Sequence, residues 1–135
     1  MATEAQRLLE LVVLLVDDED MVRRVTARIL AGAGLRVLEA QDGEQAATLL
    51  ATLEANGVGL VVSDIRMPGM SGIELAALVS DRWPTMPVLL VSGHGGPPAG
   101  YPGPFLSKPF SSERLLAAVH DLLPPPLTPY EAASR

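Results

Sequence analysis

The chain has 135 residues, of which 48% are hydrophobic, and a formal net charge of −6 at pH 7. This length and composition suit one domain with a hydrophobic core, and the negative charge argues against a nucleic-acid-binding surface. Cysteine is absent, which excludes disulfide bonds and thiolate metal sites. No apolar run reaches membrane-spanning length, and the first ten residues, "MATEAQRLLE", lack the cationic start and apolar stretch of a signal peptide. We therefore expect a cytoplasmic protein that neither inserts into membranes nor binds nucleic acid directly.

Five short apolar segments predict buried strands. They are residues 11–16 (LVVLLV), 35–40 (LRVLEA), 59–63 (GLVVS), 87–92 (PVLLVS) and 105–107 (FLS). Runs without polar alternation are typical of a parallel sheet that is covered on both faces.

Four amphipathic segments predict helices that alternate with these strands. They cover residues 21–33, residues 42–55, the stretch from Ser71 to Pro84, and the stretch from Ser111 or Ser112 to the prolines at 124–126. Asp42 with Gln45 is a capping pair for the second helix, and Ser71 with Glu74 opens the third. The apolar stripes expected to face the core are Val22, Val25 and Ile29; Ala46, Leu49, Leu50 and Leu53; Leu75, Leu78 and Val79; and Leu115, Leu116, Val119 and Leu122.

The alternation of strands and helices predicts an α/β, doubly wound fold with five parallel strands and right-handed crossovers. The fourth crossover is irregular, because nine of the thirteen residues in 92–104 are Gly or Pro. Each interior Gly costs a helix about 1 kcal/mol and each Pro about 3 kcal/mol. We therefore expect a loop or a shortened helix there. The predicted domain covers residues 11–123, between an N-terminal extension (1–10) and a Pro-rich C-terminal tail (124–135).

Polar side chains end or directly follow four of the five predicted strands. Asp17 and Asp18 follow the first strand, Asp64 the third and Lys108 the fifth, while Ser92 ends the fourth. The carboxyl ends of parallel strands meet at one edge of a sheet, where ligands bind. Two carboxylates about 4 Å apart repel by roughly 4 kcal/mol at an effective dielectric near 20. A cation therefore belongs among them, and a hard ion such as Mg²⁺ suits a set of oxygen ligands.

A carboxylate beside a bound metal can act as a nucleophile and form an acyl phosphate. Asp64 is the best candidate, because it stands at the tip of a central strand. Phosphoryl transfer depends mainly on positioning and charge neutralisation. Mg²⁺ and Lys108 would supply the positive charge, and Ser92 a hydrogen bond.

The sequence resembles the receiver domains of two-component response regulators. The matching segments are "LLVDDE", "VVSDIRMPGMSGIEL", "PVLLVSG" and "FLSKPF", which occur in the family's order. The resemblance implies a flavodoxin-like sheet with strand order 2-1-3-4-5. It also implies a signalling switch that promotes its own phosphorylation and dephosphorylation, and that turns over no separate substrate.

The resemblance assigns roles to the site residues. Asp64 would accept a phosphoryl group from a histidine kinase or a histidine phosphotransfer protein. Mg²⁺ would be held by Asp17, Asp18, Asp64 and the backbone carbonyl of Arg66. Lys108 would pair with the phosphoryl oxygens.

The resemblance also implies a conformational switch formed by two further residues. Ser92 would move toward the phosphoryl group, and Phe105 would turn inward with it. The Lys108–Pro109 peptide bond is expected to be cis. Arg66 and His94 would flank the phosphoryl site and influence the lifetime of the acyl phosphate.

Two departures from the family limit what the resemblance predicts. The Gly/Pro-rich crossover is short, so dimerisation through the face normally formed by the fourth crossover helix is doubtful. We expect no output domain within these residues, and we expect either a stand-alone regulator or a receiver excised from a hybrid histidine kinase.

Three other functions remain as alternatives. A HAD-like aspartyl phosphatase would place a second aspartate two residues after the nucleophile, where this chain has Arg66. A flavodoxin-like module for a nucleotide or flavin would need a phosphate-binding loop after the first strand, where this chain has "DDED". A degenerate receiver that only contacts proteins would lack the complete set of site residues.

Other conspicuous residues have ordinary structural explanations. We expect Met67 and Met70 to pack in the interior, Trp83 to pack at the rim and His120 to be exposed. The side of the first helix that carries Arg23, Arg24 and Arg28 is expected to be exposed, where it either faces solvent or docks a kinase.

Overall fold

The computed structural model describes residues 11–93, 96 and 99–123. The strands are β1 (Val12–Val16), β2 (Arg36–Ala40), β3 (Val58–Asp64), β4 (Val88–Ser92) and β5 (Phe105–Ser107). The helices are α1 (Asp20–Gly32), α2 (Gly43–Leu53), α3 (Gly72–Arg82) and α4 (Ser112–Leu122). The predicted N-terminal extension, the Pro-rich tail and His94 lie outside the described residues. Among the helices described, none combines the length and apolar composition needed to cross a bilayer.

The five strands form one parallel sheet in the order β2-β1-β3-β4-β5, which confirms the predicted fold. The register aligns the carboxyl ends of the strands. Val16 pairs with Ser63, and Ser92 pairs with Ser107. Asp17, Asp64 and Lys108, which end or directly follow β1, β3 and β5, are therefore brought to the same edge of the sheet.

The sheet separates two apolar cores, and successive residues of β1 and β4 alternate between them. Leu14 and Val16 of β1 belong to the core beneath α2 and α3. Val13 and Leu15 belong to the core beneath α1 and α4. Both faces of β1 are therefore buried, which explains why its sequence is a continuous apolar run.

The predicted helix caps are present in the structure. Asp42 Oδ1 accepts a hydrogen bond of 2.7 Å from the Gln45 backbone N–H. Ser71 and Glu74 form a reciprocal capping box, with both hydrogen bonds 3.1 Å long. Ser111 caps α4 by accepting a hydrogen bond from the Arg114 N–H. These side chains satisfy backbone donors that the first turn of a helix leaves unpaired.

The predicted buried face of α1 was wrong. Val25 is 53% exposed, and Val22 and Ile29 are half-buried. The buried positions are instead Arg23, Thr26 and Leu30. The two polar side chains can be buried because both have hydrogen-bond partners: Thr26 donates to the Val22 carbonyl, and Arg23 donates to Asp17, Asp20 and Glu39. The helix is thus rotated relative to its apolar stripe, and Arg23 is not on the exposed side.

The other helices bury most of their predicted stripes, with one exception. Leu53 is 40% exposed, because it is the last residue of α2 and the chain turns away at Glu54, whose φ is 52°. Met67 is buried and Met70 packs against the same core, as predicted. Trp83 is half-buried at the end of α3 beneath Arg82, and His120 is exposed.

The described part of the fourth crossover, residues 93, 96 and 99–104, contains no helix, which agrees with its Gly/Pro-rich sequence. Tyr101 of this segment packs half-buried against the core beneath α2 and α3. Gly103 allows this packing, since a Cβ atom there would overlap the Tyr101 ring. Burial raises the pKa of the Tyr101 phenol above its ordinary value. The crossover is therefore anchored by an aromatic ring.

Candidate functional site

Three carboxylates and one ammonium meet at the carboxyl edge of the sheet. Carboxylate oxygens of Asp17, Asp18 and Asp64 all lie within 4.8 Å of one another. The Lys108 Nζ atom lies 3.6 Å from Asp17 Oδ2 and 3.6 Å from Asp64 Oδ2. Asp17 is buried, Asp18 is exposed, and Asp64 and Lys108 are half-buried. The site therefore opens to solvent on the side of Asp18.

Hydrogen bonds to its own loop and to the neighbouring strand hold Asp17 in place. Its backbone N–H donates to the Ala40 carbonyl at 3.2 Å. Its Oδ1 atom accepts a hydrogen bond of 2.9 Å from the Glu19 N–H. The Asp17 Oδ2 atom is the one that contacts Lys108. One carboxylate oxygen is thus used to order the loop, and the other faces the site.

The four consecutive acids of the sequence do not form a single cluster. Asp17 and Asp18 join Asp64 in the cluster. Asp20 instead lies in the first turn of α1 and forms an ion pair of 2.8 Å with Arg23. The repulsion expected within "DDED" is thus reduced by two cations, Arg23 for Asp20 and Lys108 for Asp17.

Asp64 occupies an environment that is unfavourable for its charge. Burial raises the pKa of Asp64 above its usual value, and the neighbouring Asp17 carboxylate raises it further. Lys108 and the Ile65 backbone N–H act in the opposite direction and only partly compensate. A divalent cation bound among these oxygens would favour the charged form of Asp64, because its charge is the largest in such a site. The donor set, which consists of carboxylate oxygens, fits a hard ion such as Mg²⁺.

The structure also places the remaining predicted site residues. Ser92 is 5% exposed at the end of β4, and its carbonyl oxygen accepts a hydrogen bond of 2.8 Å from the Lys108 N–H. Phe105 is half-buried at the start of β5 and packs against the core beneath α2 and α3. The Lys108–Pro109 peptide bond is cis. Arg66 follows Asp64 by two residues and has an exposed side chain.

Two residues that support the site were missed at the sequence level. Glu44 Oε1 of α2 accepts a hydrogen bond of 2.9 Å from the Met70 N–H. This contact holds the loop after β3 against α2. Arg23 donates a buried hydrogen bond of 2.8 Å to the carbonyl oxygen of Asp17. Glu44 accepts from a backbone N–H that is 26 residues away, and Arg23 donates to a backbone carbonyl. No local sequence pattern therefore indicates either contact.

The comparison with known proteins decides the family. A family model described as the response regulator receiver domain matches residues 13–120. The chain belongs to the response regulator receiver family. The HAD-like and flavodoxin-like alternatives are not favoured by this match.

Relatives of this receiver are found in several kinds of signalling protein. The C4-dicarboxylate transport transcriptional regulatory protein DctD of Pseudomonas aeruginosa is 38% identical over 117 residues, which cover 82% of this chain and 25% of DctD. The transcriptional regulatory protein FixJ of Azorhizobium caulinodans is 37% identical over 110 residues, which cover 77% of this chain and 51% of FixJ. The chain thus spans about a quarter of DctD and about half of FixJ.

A solved structure shows the same fold in another kind of protein. The receiver domain of the hybrid histidine kinase CckA superposes with a TM-score of 0.72 at 36% identity, and the match covers 84% of this chain and 99% of that domain. Receivers of this type therefore occur both in transcriptional regulators and in hybrid kinases.

Proposed function

We propose that this receiver is a phosphorylation switch in which Asp64 accepts a phosphoryl group from a phosphohistidine. The observation that carries the proposal is the position of Asp64, a half-buried carboxylate 3.6 Å from the Lys108 ammonium and grouped with two further carboxylates. Like charges at this distance repel, so three carboxylates grouped together destabilise the fold unless a cation binds them. A purely structural aspartate would not require such a group.

The proposed cofactor is Mg²⁺. Asp17, Asp18, Asp64 and the backbone carbonyl of Arg66 would hold it. When bound, the ion neutralises negative charge on the phosphoryl oxygens and on the carboxylates around them.

The residues of the chain account for the transfer step. An Asp64 carboxylate oxygen attacks the phosphorus atom, a P–O bond forms, and the P–N bond to the donor histidine breaks with its electron pair returning to the imidazole. Lys108, whose ammonium lies 3.6 Å from Asp64, pairs with a phosphoryl oxygen and stabilises the negative charge there. Hydrolysis of the acyl phosphate by water later restores Asp64 and releases inorganic phosphate.

The proposed output is a shift between two conformations. Ser92 ends β4 beside Lys108, so its hydroxyl can move toward a phosphoryl group on Asp64. Phe105 follows in the adjacent strand, where Leu90 is its register partner. A phosphoryl group that binds the Ser92-inward state more tightly shifts the population toward that state and toward an inward Phe105.

The phosphodonor is proposed to dock on an apolar groove beside the site. The groove has a volume of about 550 Å³ and is lined by Met21, Val25 and Phe110 together with Lys108 and other residues. Met21 is 78% exposed and Val25 is 53% exposed. Contiguous exposed apolar patches mark interaction sites, and Met21 and Val25 lie four residues apart on the same face of α1. A donor seated there would bring its phosphohistidine to the edge of the sheet that carries Asp64.

The remaining proposals concern the context of the receiver. We place the domain at residues 11–123 and the protein in the cytoplasm, where a histidine kinase or a histidine phosphotransfer protein would be its donor.

Mass spectrometry of the intact protein tests the proposed function. Incubation with acetyl phosphate and Mg²⁺ is expected to add one phosphoryl group, and removal of Mg²⁺ with EDTA is expected to abolish the gain. Asp64→Asn should not be modified, whereas Asp81→Asn, which changes an exposed aspartate of α3, should behave as wild type. A phosphoryl gain that survives both EDTA and Asp64→Asn would refute the assignment.

A further inference from the structure

Arg23 is a buried cation that joins α1 to the ends of two strands. Its Nη1 atom donates to the carbonyl oxygen of Asp17 at 2.8 Å. Its Nη2 atom donates to Asp20 Oδ1 at 2.8 Å, and its Nε atom donates to Glu39 Oε1 at 3.0 Å. The Arg23 side chain is 11% exposed, compared with 65% for Asp20 and 40% for Glu39.

Stability alone is a weak explanation for this arrangement. Desolvation of a buried ion offsets much of its attraction to its partners, and apolar replacements are often as stable. The contact to Asp17 is also not an ion pair, because the acceptor is a backbone carbonyl. A planar guanidinium offers several donors in fixed directions, which suits it to hold separate groups in one geometry.

The peptide group that Arg23 contacts links Asp17 to Asp18, the two carboxylates of the cluster that come from β1. The Asp17 N–H is held by the Ala40 carbonyl, and Asp17 Oδ1 is held by the Glu19 N–H. On the carbonyl side of Asp17, the described hydrogen bond comes from Arg23. Without it, the Asp17–Asp18 peptide group would lose its contact to α1, and a rotation of that group would turn the Asp18 side chain relative to the anchored Asp17.

We infer that Arg23 is a positioning residue for the divalent cation: by holding the Asp17–Asp18 peptide it keeps both carboxylates oriented toward Asp64. Arg23 does not touch the cation or the phosphoryl group. The inference rests on the proposed function, because it assumes that the carboxylate cluster binds a cation.

The direction of the change in cation affinity distinguishes a positioning role of Arg23 from a simple effect of its charge. Removal of a positive charge near a cluster of carboxylates would by itself strengthen the binding of a cation. Loss of positioning would weaken it. A purely structural role would lower the melting temperature and leave the cation affinity of the folded protein unchanged.

Titration with Mn²⁺, followed by the loss of the free-ion EPR signal, measures the affinity directly. We expect Arg23→Gln to bind Mn²⁺ about 10-fold more weakly than wild type, as is typical when a residue that orients metal ligands is lost. Arg23→Lys should also bind more weakly, because a single ammonium cannot make the three directed contacts. Arg24→Gln is the matched control, since Arg24 is the exposed neighbour on the same helix and carries the same charge.

A second readout uses acetyl phosphate at increasing Mg²⁺ concentrations. The phosphorylation rate of Arg23→Gln should be low at limiting Mg²⁺ and should recover at saturating Mg²⁺, because the chemical groups that touch the phosphoryl group are intact. Unfolding curves in EDTA establish that each variant is folded. If Arg23→Gln does not fold, Arg23→Lys and Glu39→Gln, which removes the charge of one of the two carboxylates paired with Arg23, provide the test.

The outcomes distinguish this inference from the proposed function. Unchanged or tighter Mn²⁺ binding by the folded Arg23 variants would overturn the positioning role. Absence of Mn²⁺ binding and of phosphorylation in the wild type would instead overturn the proposed function. Equal weakening by Arg24→Gln would show that the loss of affinity does not depend on the contacts of Arg23, and would also overturn the inference.

Discussion

Gly72 lies directly against the main chain of Asp64: a Cβ atom at position 72 would overlap the Asp64 carbonyl oxygen. The Gly72 N–H also donates a hydrogen bond of 2.9 Å to the Ile65 carbonyl. The start of α3 is therefore packed against the residue that we propose as the phosphoacceptor. A side chain at this position cannot be accommodated by a rotamer change, because the group it would meet is backbone.

We expect Gly72→Ala to lower the free energy of unfolding by about 1–3 kcal/mol, since overpacking forces backbone shifts. The shift should also slow phosphorylation by acetyl phosphate, because it moves Asp64. Chemical denaturation and mass spectrometry measure the two effects. Gly32→Ala is the control, because a methyl group added there, at the end of α1, would meet no other described part of the chain within 4 Å. Wild-type stability and rate in Gly72→Ala would contradict the expected coupling.

Replacement of Lys108 should separate cation binding from phosphoryl transfer. Lys108→Met removes the ammonium that lies 3.6 Å from both Asp17 and Asp64. We expect phosphorylation to slow on the order of 100-fold, as for the loss of one charge-stabilising group in other active sites. Binding of Mn²⁺ should not weaken, because the three carboxylates remain and the site loses a positive charge that repels the cation. If Mn²⁺ binding is lost along with phosphorylation, Lys108 orders the site rather than acting on the phosphoryl group.

Tyr101 provides a pH-dependent test of how the fourth crossover is anchored. Its pKa is raised by burial, so the phenol is more easily ionised in the unfolded chain than in the folded one. Its contribution to stability is therefore complete below the unfolded value near 10 and is lost as pH rises through the higher folded value. Tyr101→Phe should match wild type at neutral pH and exceed it in stability above about pH 10. Parallel denaturation curves of the two proteins at neutral and alkaline pH would show this, and identical curves throughout would mean that Tyr101 is not buried in solution.

The residues that meet at the carboxyl edge of the sheet could be predicted from the sequence, because the strands are parallel. Each parallel strand ends at the same level, so Asp64, which ends β3, and Lys108, which follows β5, had to converge. Only the residues at the strand ends were needed for this, and apolar runs locate them well.

The supporting contacts were not predictable in the same way. Arg23 looked exposed from helical periodicity, because its acceptor Glu39 is sixteen residues away on β2 and its other key acceptor is a backbone carbonyl. Glu44 likewise bonds to the N–H of Met70, which is twenty-six residues away. Periodicity describes one element at a time, whereas the burial of a polar residue depends on partners that other elements supply.

The apolar groove beside the site predicts a difference between protein and small-molecule phosphodonors. In the double variant Met21→Gln, Val25→Gln the groove loses two exposed apolar side chains, while Asp64 and Lys108 are untouched. Transfer from a pre-phosphorylated histidine phosphotransfer domain that phosphorylates the wild type should slow about 10-fold, the effect of losing roughly 1.4 kcal/mol of binding energy at an interface. Phosphorylation by acetyl phosphate should be unchanged. Leu53→Gln is the matched control, because Leu53 is a 40% exposed residue of α2, whose apolar face packs on the opposite side of the sheet. An equal loss with both donors would locate the effect in the site itself, and no loss with the protein donor would exclude the groove as its docking surface.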